Sequence, residues 1–227
     1  MDQLDRLMPG FATKKSKTGS SFDYFIIGNR LRGVDFKIRY AAMCINELQK
    51  VHDQLKRDFE KESDFSEVFR RQPPLSEDVL FNADVTFSFL SSALDIASWP
   101  IQMIHGTKLK DREVHLRSVC GILSGNPAPE YEIFRKLSRE YDEGWLAKFE
   151  AYRNYVTHYG LLRIGTSTTW EEKSPRIQAK VIVLPDDPNA PMARFDEGRE
   201  LVPYAKDSMQ HVLSAIGDLY KFVAKLI

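Results

Sequence analysis

Cysteine is scarce: Cys44 and Cys120 are the only two in 227 residues, and no Cys-x-x-Cys pair exists. Each lies in an apolar stretch. That excludes a disulfide framework and predicts two buried free thiols in a reducing compartment. Net charge is missing too, with 32 Lys and Arg against 32 Asp and Glu. Nothing global therefore attracts nucleic acid or anionic lipid. The five histidines, His52, His105, His115, His158 and His211, are scattered singly. No two of them stand at metal-ligand spacing on one helix face. There is no GxxxxGK[ST] loop, no GxGxxG after a strand, no HExxH, no GxSxG and no EF-hand loop. Nucleotide-driven phosphoryl transfer and metal-dependent hydrolysis are thus unsupported, and no cofactor is expected. Asp186 and Asp187 sit in a proline-rich loop and read as turn residues.

Long uninterrupted apolar runs are also absent. The richest stretch, Phe87 to Ile104, is broken by four serines, Asp95 and Pro100. It reads as a buried core helix and not as a membrane span. The opening MDQLDRLMPGF has no apolar core of a signal peptide. A cytosolic protein is expected, without a membrane partner.

What is present is ordinary globular composition, 43% hydrophobic and 28% charged, in a length that suits one domain. Residues 1–34 read as an irregular N-terminal arm. KKSKTGSS at 14–21 looks like a mobile loop, and FDYFIIG at 22–28 like a short strand. Lys14, Lys15, Lys17, Arg30, Arg32, Lys37 and Arg39 make one local basic excess, opposed by Asp23 and Asp35. A solvated arm explains it more simply than a phosphate-contacting one.

Helical periodicity takes over at residue 35. Ala41, Cys44, Leu48, Val51 and Leu55 recur at spacings of three and four. After the break at QPPL, Ser76 and Asp78 mark a second helix start. Its stripe is Leu80, Ala83, Phe87, Leu90, Leu94, Ala97, Ile101 and Ile104. Beside it runs a polar stripe, Asp84, Ser88, Ser91, Asp95, Ser98 and Gln102, and Pro100 predicts a kink. EVHLRSVCGIL at 113–123 reads as a short helix and SGNPAP at 124–129 as a loop. Two more helices follow over 130–160, jointed at Gly144 and closed by Gly160 as a left-handed cap. Trp145, Phe149, Tyr152, Val156 and Tyr159 form the apolar face of the second. Trp145, Tyr152 and Tyr159 are expected in the core and not as base-stacking platforms.

The period then shortens to two over 161–172 and 176–185, with a turn near Lys173–Pro175, which predicts a β-hairpin. A loop at 186–191 precedes a last helix over about 199–227. The fold class is therefore mainly all-α: an up-and-down bundle of four to five helices over 35–227, with a small hairpin inserted at about 161–185.

One segment carries chemistry, Arg153-Asn154-Tyr155-Val156-Thr157-His158, followed by Tyr159-Gly160. Ribonucleic acid is cut without metal when its own 2′-OH attacks the adjacent phosphate. That needs a base, an acid and a cation. Histidine serves as base or acid near neutrality, and arginine clamps phosphate through two hydrogen bonds. Asn154 can bond the phosphate or orient the imidazole. Arg153 and His158 lie about 140° apart around a helix, Asn154 and His158 only about 40°. Arg153 must therefore reach around. The structural alternative pairs Arg153 with Glu150 or a neighbouring helix and leaves His158 as a helix C-terminal histidine favoured by the dipole.

Arg-x4-His near the end of a bundle helix resembles the signature of the HEPN superfamily. The resemblance covers residues 35–227 as an architecture and six residues as a motif. It implies a homodimer whose two motifs face each other across a two-fold cleft. It also implies metal-independent endoribonuclease activity of toxin or defence type, with Arg153, Asn154 and His158 at the catalytic site, RNA as substrate and an antitoxin or other protein partner. Other members have lost catalysis and serve as dimerisation modules. Asp95 or Ser91, on the polar stripe, is the expected support for Arg153 or His158.

Overall fold

A computed structural model describes residues 24–61, 76–105, 109–110, 113–160, 162–170, 177–190, 192, 194–195 and 198–226. Among them are six α-helices: α1 (Tyr24–Lys61), α2 (Glu77–His105), α3 (Leu116–Leu123), α4 (Glu132–Asp142), α5 (Trp145–Tyr159) and α6 (Leu201–Leu226). A 3-10 turn at Pro129–Tyr131 leads into α4. Strands β1 (Gly165–Trp170), β2 (Ile177–Leu184) and β3 (Arg199–Glu200) form one antiparallel sheet in that order. The fold is mainly helical with a small sheet inserted before the last helix, as the periodicities imply.

Three features differ from expectation. Helix α1 begins at Tyr24, inside the segment read as strand and irregular arm. Ile27, Leu31 and Val34 are buried at the same three-four spacing that continues through Ala41, Ile45 and Leu48. Packing of that continuous stripe outweighs the local β-propensity of an aromatic and β-branched cluster. Further along α1 the buried position is His52, while Val51 is exposed. The His52 Nε2 lies 3.2 Å from the Glu200 carboxylate and its Nδ1 3.3 Å from that of Asp53, so the ring is buried with both nitrogens partnered. The third difference is β3, which occupies the expected first residues of the last helix. It pairs Val183 with Glu200 and Leu184 with Arg199. The residues expected as a mobile loop at 14–21 and as the hairpin turn at 173–175 lie outside the described residues.

The described chain divides into two compact units. The first holds the residues up to Arg39, Phe89–Lys148, and those from Met209 on; the second holds Tyr40–Ser88 and Phe149–Ser208. In the first, the ring of Phe222 receives Phe134 edge-on at 4.8 Å and stacks on His105 at 5.6 Å. Arg30 lies 4.3 Å from the Trp99 ring centroid and Lys37 4.0 Å from that of Phe89, while Arg39 pairs with Asp35 at 2.9 Å. Three cations of the local basic excess are therefore engaged within the fold. Cys44 and Cys120 are both buried free thiols, and burial pushes Cys120 up to about 12.

Helix α2 is long and apolar enough to cross a membrane by length and composition. Its stripe from Val79 through Ala83, Phe87, Leu90, Leu94, Ala97 and Ile101 to Ile104 is buried against protein, which is how a core helix reads.

The second unit holds the sheet. Its β1–β2 register shifts between Gly165 and Ser167, and opposite the shift Ile182 takes a φ of 53°. A β-branched residue pays about 1–3 kcal/mol for that backbone. Complete burial of its side chain offsets the cost, by about 1.5–3 kcal/mol.

One side-chain contact caps the joint between α4 and α5. The Glu140 carboxylate accepts the Trp145 N–H at 3.1 Å and so caps the start of α5. Gly144 leaves room for it: a Cβ there would overlap that carboxylate and meet the Glu140 Cα at 2.8 Å. Gly144→Ala should therefore lower stability by about 1–3 kcal/mol. Gly121→Ala, on an open helical position with nothing within 4 Å, should raise it by up to about 1 kcal/mol. Urea unfolding midpoints of the two variants check both signs.

Candidate functional site

The motif lies at the C-terminal end of α5, in the second unit. What seats that helix is aromatic packing. Phe87 lies 5.7 Å from Phe149 and 5.6 Å from Tyr152, and Tyr152 lies 5.5 Å edge-on from Tyr204. The Tyr152 hydroxyl donates to the Pro185 carbonyl at 2.5 Å, tying α5 to the end of β2. Burial raises the Tyr152 hydroxyl well above its ordinary value, which keeps it protonated and donating.

Beyond Tyr152 the helix leaves the core. Tyr159 was expected in the core but is 72% exposed. It lies only about 20° from Tyr152 around the axis, yet about two turns further along. Its side of the helix is the buried side; the buried packing ends before it. Gly160, with a φ of 101°, closes the helix in the left-handed region, as its position implied.

Past the cap, two contacts fix the chain. The Leu162 N–H donates to Asp84 Oδ1 at 3.3 Å, and Arg163 Nη1 donates to the Ala190 carbonyl at 2.8 Å. Asp84 is half-buried, and desolvation raises its carboxyl above the usual range, against the lowering effect of the Leu162 N–H. It had not been singled out from its polar stripe.

Arg153, Asn154 and His158 therefore share one helix end. Arg153 Nη1 donates to Asn154 Oδ1 at 2.9 Å. That bond turns the guanidinium toward the Asn154 side, and Asn154 is about 40° from His158 around the helix. His158 is exposed, and among the described residues it has no hydrogen bond or ion pair. The pairing of Arg153 with Glu150, weighed from the sequence, is not what the arginine makes; its hydrogen bond goes to the adjacent Asn154.

Ser91 and Asp95, the expected supports, are residues of the first unit. There Asp95 Oδ1 accepts the Leu116 N–H at 3.0 Å and so caps the start of α3. Asp84 does the comparable job past the motif helix. It precedes Asp95 by about three turns on nearly the same face of the polar stripe. Tyr155, one turn before His158 on the same helix, and Arg163, past the cap, were also missed: Tyr155 and Tyr159 are 5.5 Å apart, and the Arg163 guanidinium is 5.8 Å from the Tyr155 ring. Among the described residues, no three His, Cys, Asp or Glu side chains cluster as a metal site.

Asp84 yields a pH-dependent expectation. Its carboxyl is raised in the folded chain, so its ionised form is disfavoured by folding above that value. Asp84→Asn keeps an acceptor for Leu162 and should equal or exceed the wild type in stability at pH 7. The difference should shrink as pH falls toward 4 and the wild-type carboxyl takes up its proton. Asp84→Leu leaves the Leu162 N–H unpaired and should cost about 1–3 kcal/mol. Denaturant unfolding of the three proteins at pH 7 and pH 4 measures this. Comparison of the chain with family models, with curated proteins and with solved structures returned no match.

Proposed function

We propose that the chain is a HEPN-like, metal-independent endoribonuclease of toxin or defence type, acting in the cytosol as a homodimer. The observation that carries this reading is the 2.9 Å bond from Arg153 to Asn154 on the same helix end as an exposed His158, which has no hydrogen bond among the described residues. It brings a permanent phosphate-binding cation to the side of the helix that offers the imidazole. A buried ring would have left no chemistry there.

The reaction needs no group beyond these. An imidazole takes the proton of the 2′-hydroxyl as its oxygen attacks the adjacent phosphorus. The phosphorus–O5′ bond breaks, leaving a 2′,3′-cyclic phosphate and a 5′-hydroxyl. A protonated imidazole gives the leaving oxygen its proton, and the guanidinium holds the negative phosphorane. One chain supplies one His158. Two copies related by a two-fold axis supply both the base and the acid.

RNA cleavage in EDTA tests the reading. Wild type should cut single-stranded RNA to cyclic-phosphate ends. His158→Ala and Arg153→Ala should each lose about 10²–10⁴-fold in rate. Equal cleavage by wild type and His158→Ala, or none by wild type, would end it.

A second reading is a non-catalytic dimerisation module. It is favoured by the absence of net charge. In that case the Arg153→Ala, His158→Ala double variant should change oligomer mass or partner binding. Unchanged values count against it.

A further inference from the structure

We infer that Tyr155, Tyr159 and Arg163 form a base-stacking subsite next to His158, and that the substrate is single-stranded RNA with an unstacked base. This rests on the endoribonuclease reading of the same helix end and adds what that site recognises.

Position comes first. Around the α5 axis the order is Asn154, His158, Tyr155, Tyr159, in steps of about 40°, 60° and 40°. The phosphate-binding groups are thus at one side of the imidazole and the two rings at the other. A nucleotide has the same arrangement: charge on one side of its ribose, a flat π-surface on the other. With the 2′-hydroxyl and phosphate at His158, the attached or following base falls on the tyrosines.

Chemistry comes second. Tyr159 is the most exposed tyrosine among the described residues, at 72%, and its ring sits 5.5 Å from that of Tyr155 at 32°. Leaving an aromatic ring in water at a helix end does not help the chain fold. Offered to a base, it supplies stacking that tolerates any sequence. Tyr155 is half-buried and braces Tyr159 from the helix side. The Arg163 guanidinium lies 5.8 Å from the Tyr155 ring and is tethered to the Ala190 carbonyl at 2.8 Å. That places a positive charge at the edge of the aromatic pair, which suits a polyanion and opposes a plain apolar partner. A duplex keeps its bases stacked inside and offers the rings nothing, so the pair selects single strands.

The probe is a fluorescein-labelled single-stranded RNA decamer of mixed sequence, titrated in EDTA against His158→Ala, which holds RNA without cutting it. Adding Tyr159→Ala should weaken binding by roughly 5- to 150-fold, whereas Tyr159→Phe and Tyr159→Trp should bind like the parent. Replacing each nucleotide in turn by an abasic one should weaken binding at one position, and that loss should vanish once Tyr159 is alanine. The blunt-ended duplex should bind less well than the single strand at equal salt. Tyr159 is exposed, so these variants should unfold at the parent's urea midpoint. If Tyr159→Ala leaves affinity for the decamer unchanged while wild type still cleaves, the subsite is wrong and the ribonuclease reading stands. If Tyr159→Ala alters oligomer mass and not RNA affinity, the rings are a protein contact and the inference fails. If wild type neither binds nor cuts the decamer, both readings fall.

Discussion

The packing of Phe87 against Phe149 and Tyr152, with Tyr204 closing the group, is the contact on which the described site depends. It seats α5 at one depth and one rotation. Ring pairs at these separations add about 0.5–1.5 kcal/mol each beyond the area they bury. The hydroxyl of Tyr152 adds a polar tie to Pro185, and through it to the sheet. Every group at the helix end takes its place from that anchor. Tyr152 in the core leaves Arg153 and Asn154 half-buried, and the two turns that follow carry His158 and Tyr159 into solvent. A slip of α5 by one turn would bury His158 or strand Tyr152.

The ends of α5 are built by different means. At its start, Glu140 caps the Trp145 N–H, and this needs the bare Cα of Gly144. At its finish, Gly160 turns left-handed, and Asp84 receives the chain two residues on. Carboxylates at both ends reach across from another helix or turn. The helix is therefore held by packing along its length and by hydrogen bonds at its limits, and little of its stability comes from intrinsic propensity. Strand β3 and Glu200 do a similar job for the sheet, since Glu200 meets the buried His52 of α1 and accepts the Val181 N–H at 3.3 Å.

Most of the helices were legible because a three-four apolar repeat reports burial directly. The repeat in α2 matches the buried residues closely, and the buried residues of α6, Leu201, Ala205, Val212, Leu219 and Phe222, keep a spacing built from threes and fours. Where the reading failed, the cause was local. FDYFIIG has strand-like composition, but Ile27 and Leu31 are in phase with a helix that continues for many turns. The two-residue β3 carries too few positions to show any period. Pairing across the chain, to Val183 and Leu184, is what defines it.

By itself the sequence determined the class of fold, the buried thiols, the end of α5 at Gly160, and the angular relation of Arg153, Asn154 and His158. All of these follow from spacing and residue chemistry, which are local. Only the tertiary structure decided how far along α5 the core extends, and so that Tyr159 stands in water and not in the interior. It also decided that Asp84 of the α2 stripe receives the Leu162 N–H just past the motif helix. Helical periodicity fixes an angle around an axis. Depth along that axis is set by where the neighbouring elements stop, and no single segment contains that information.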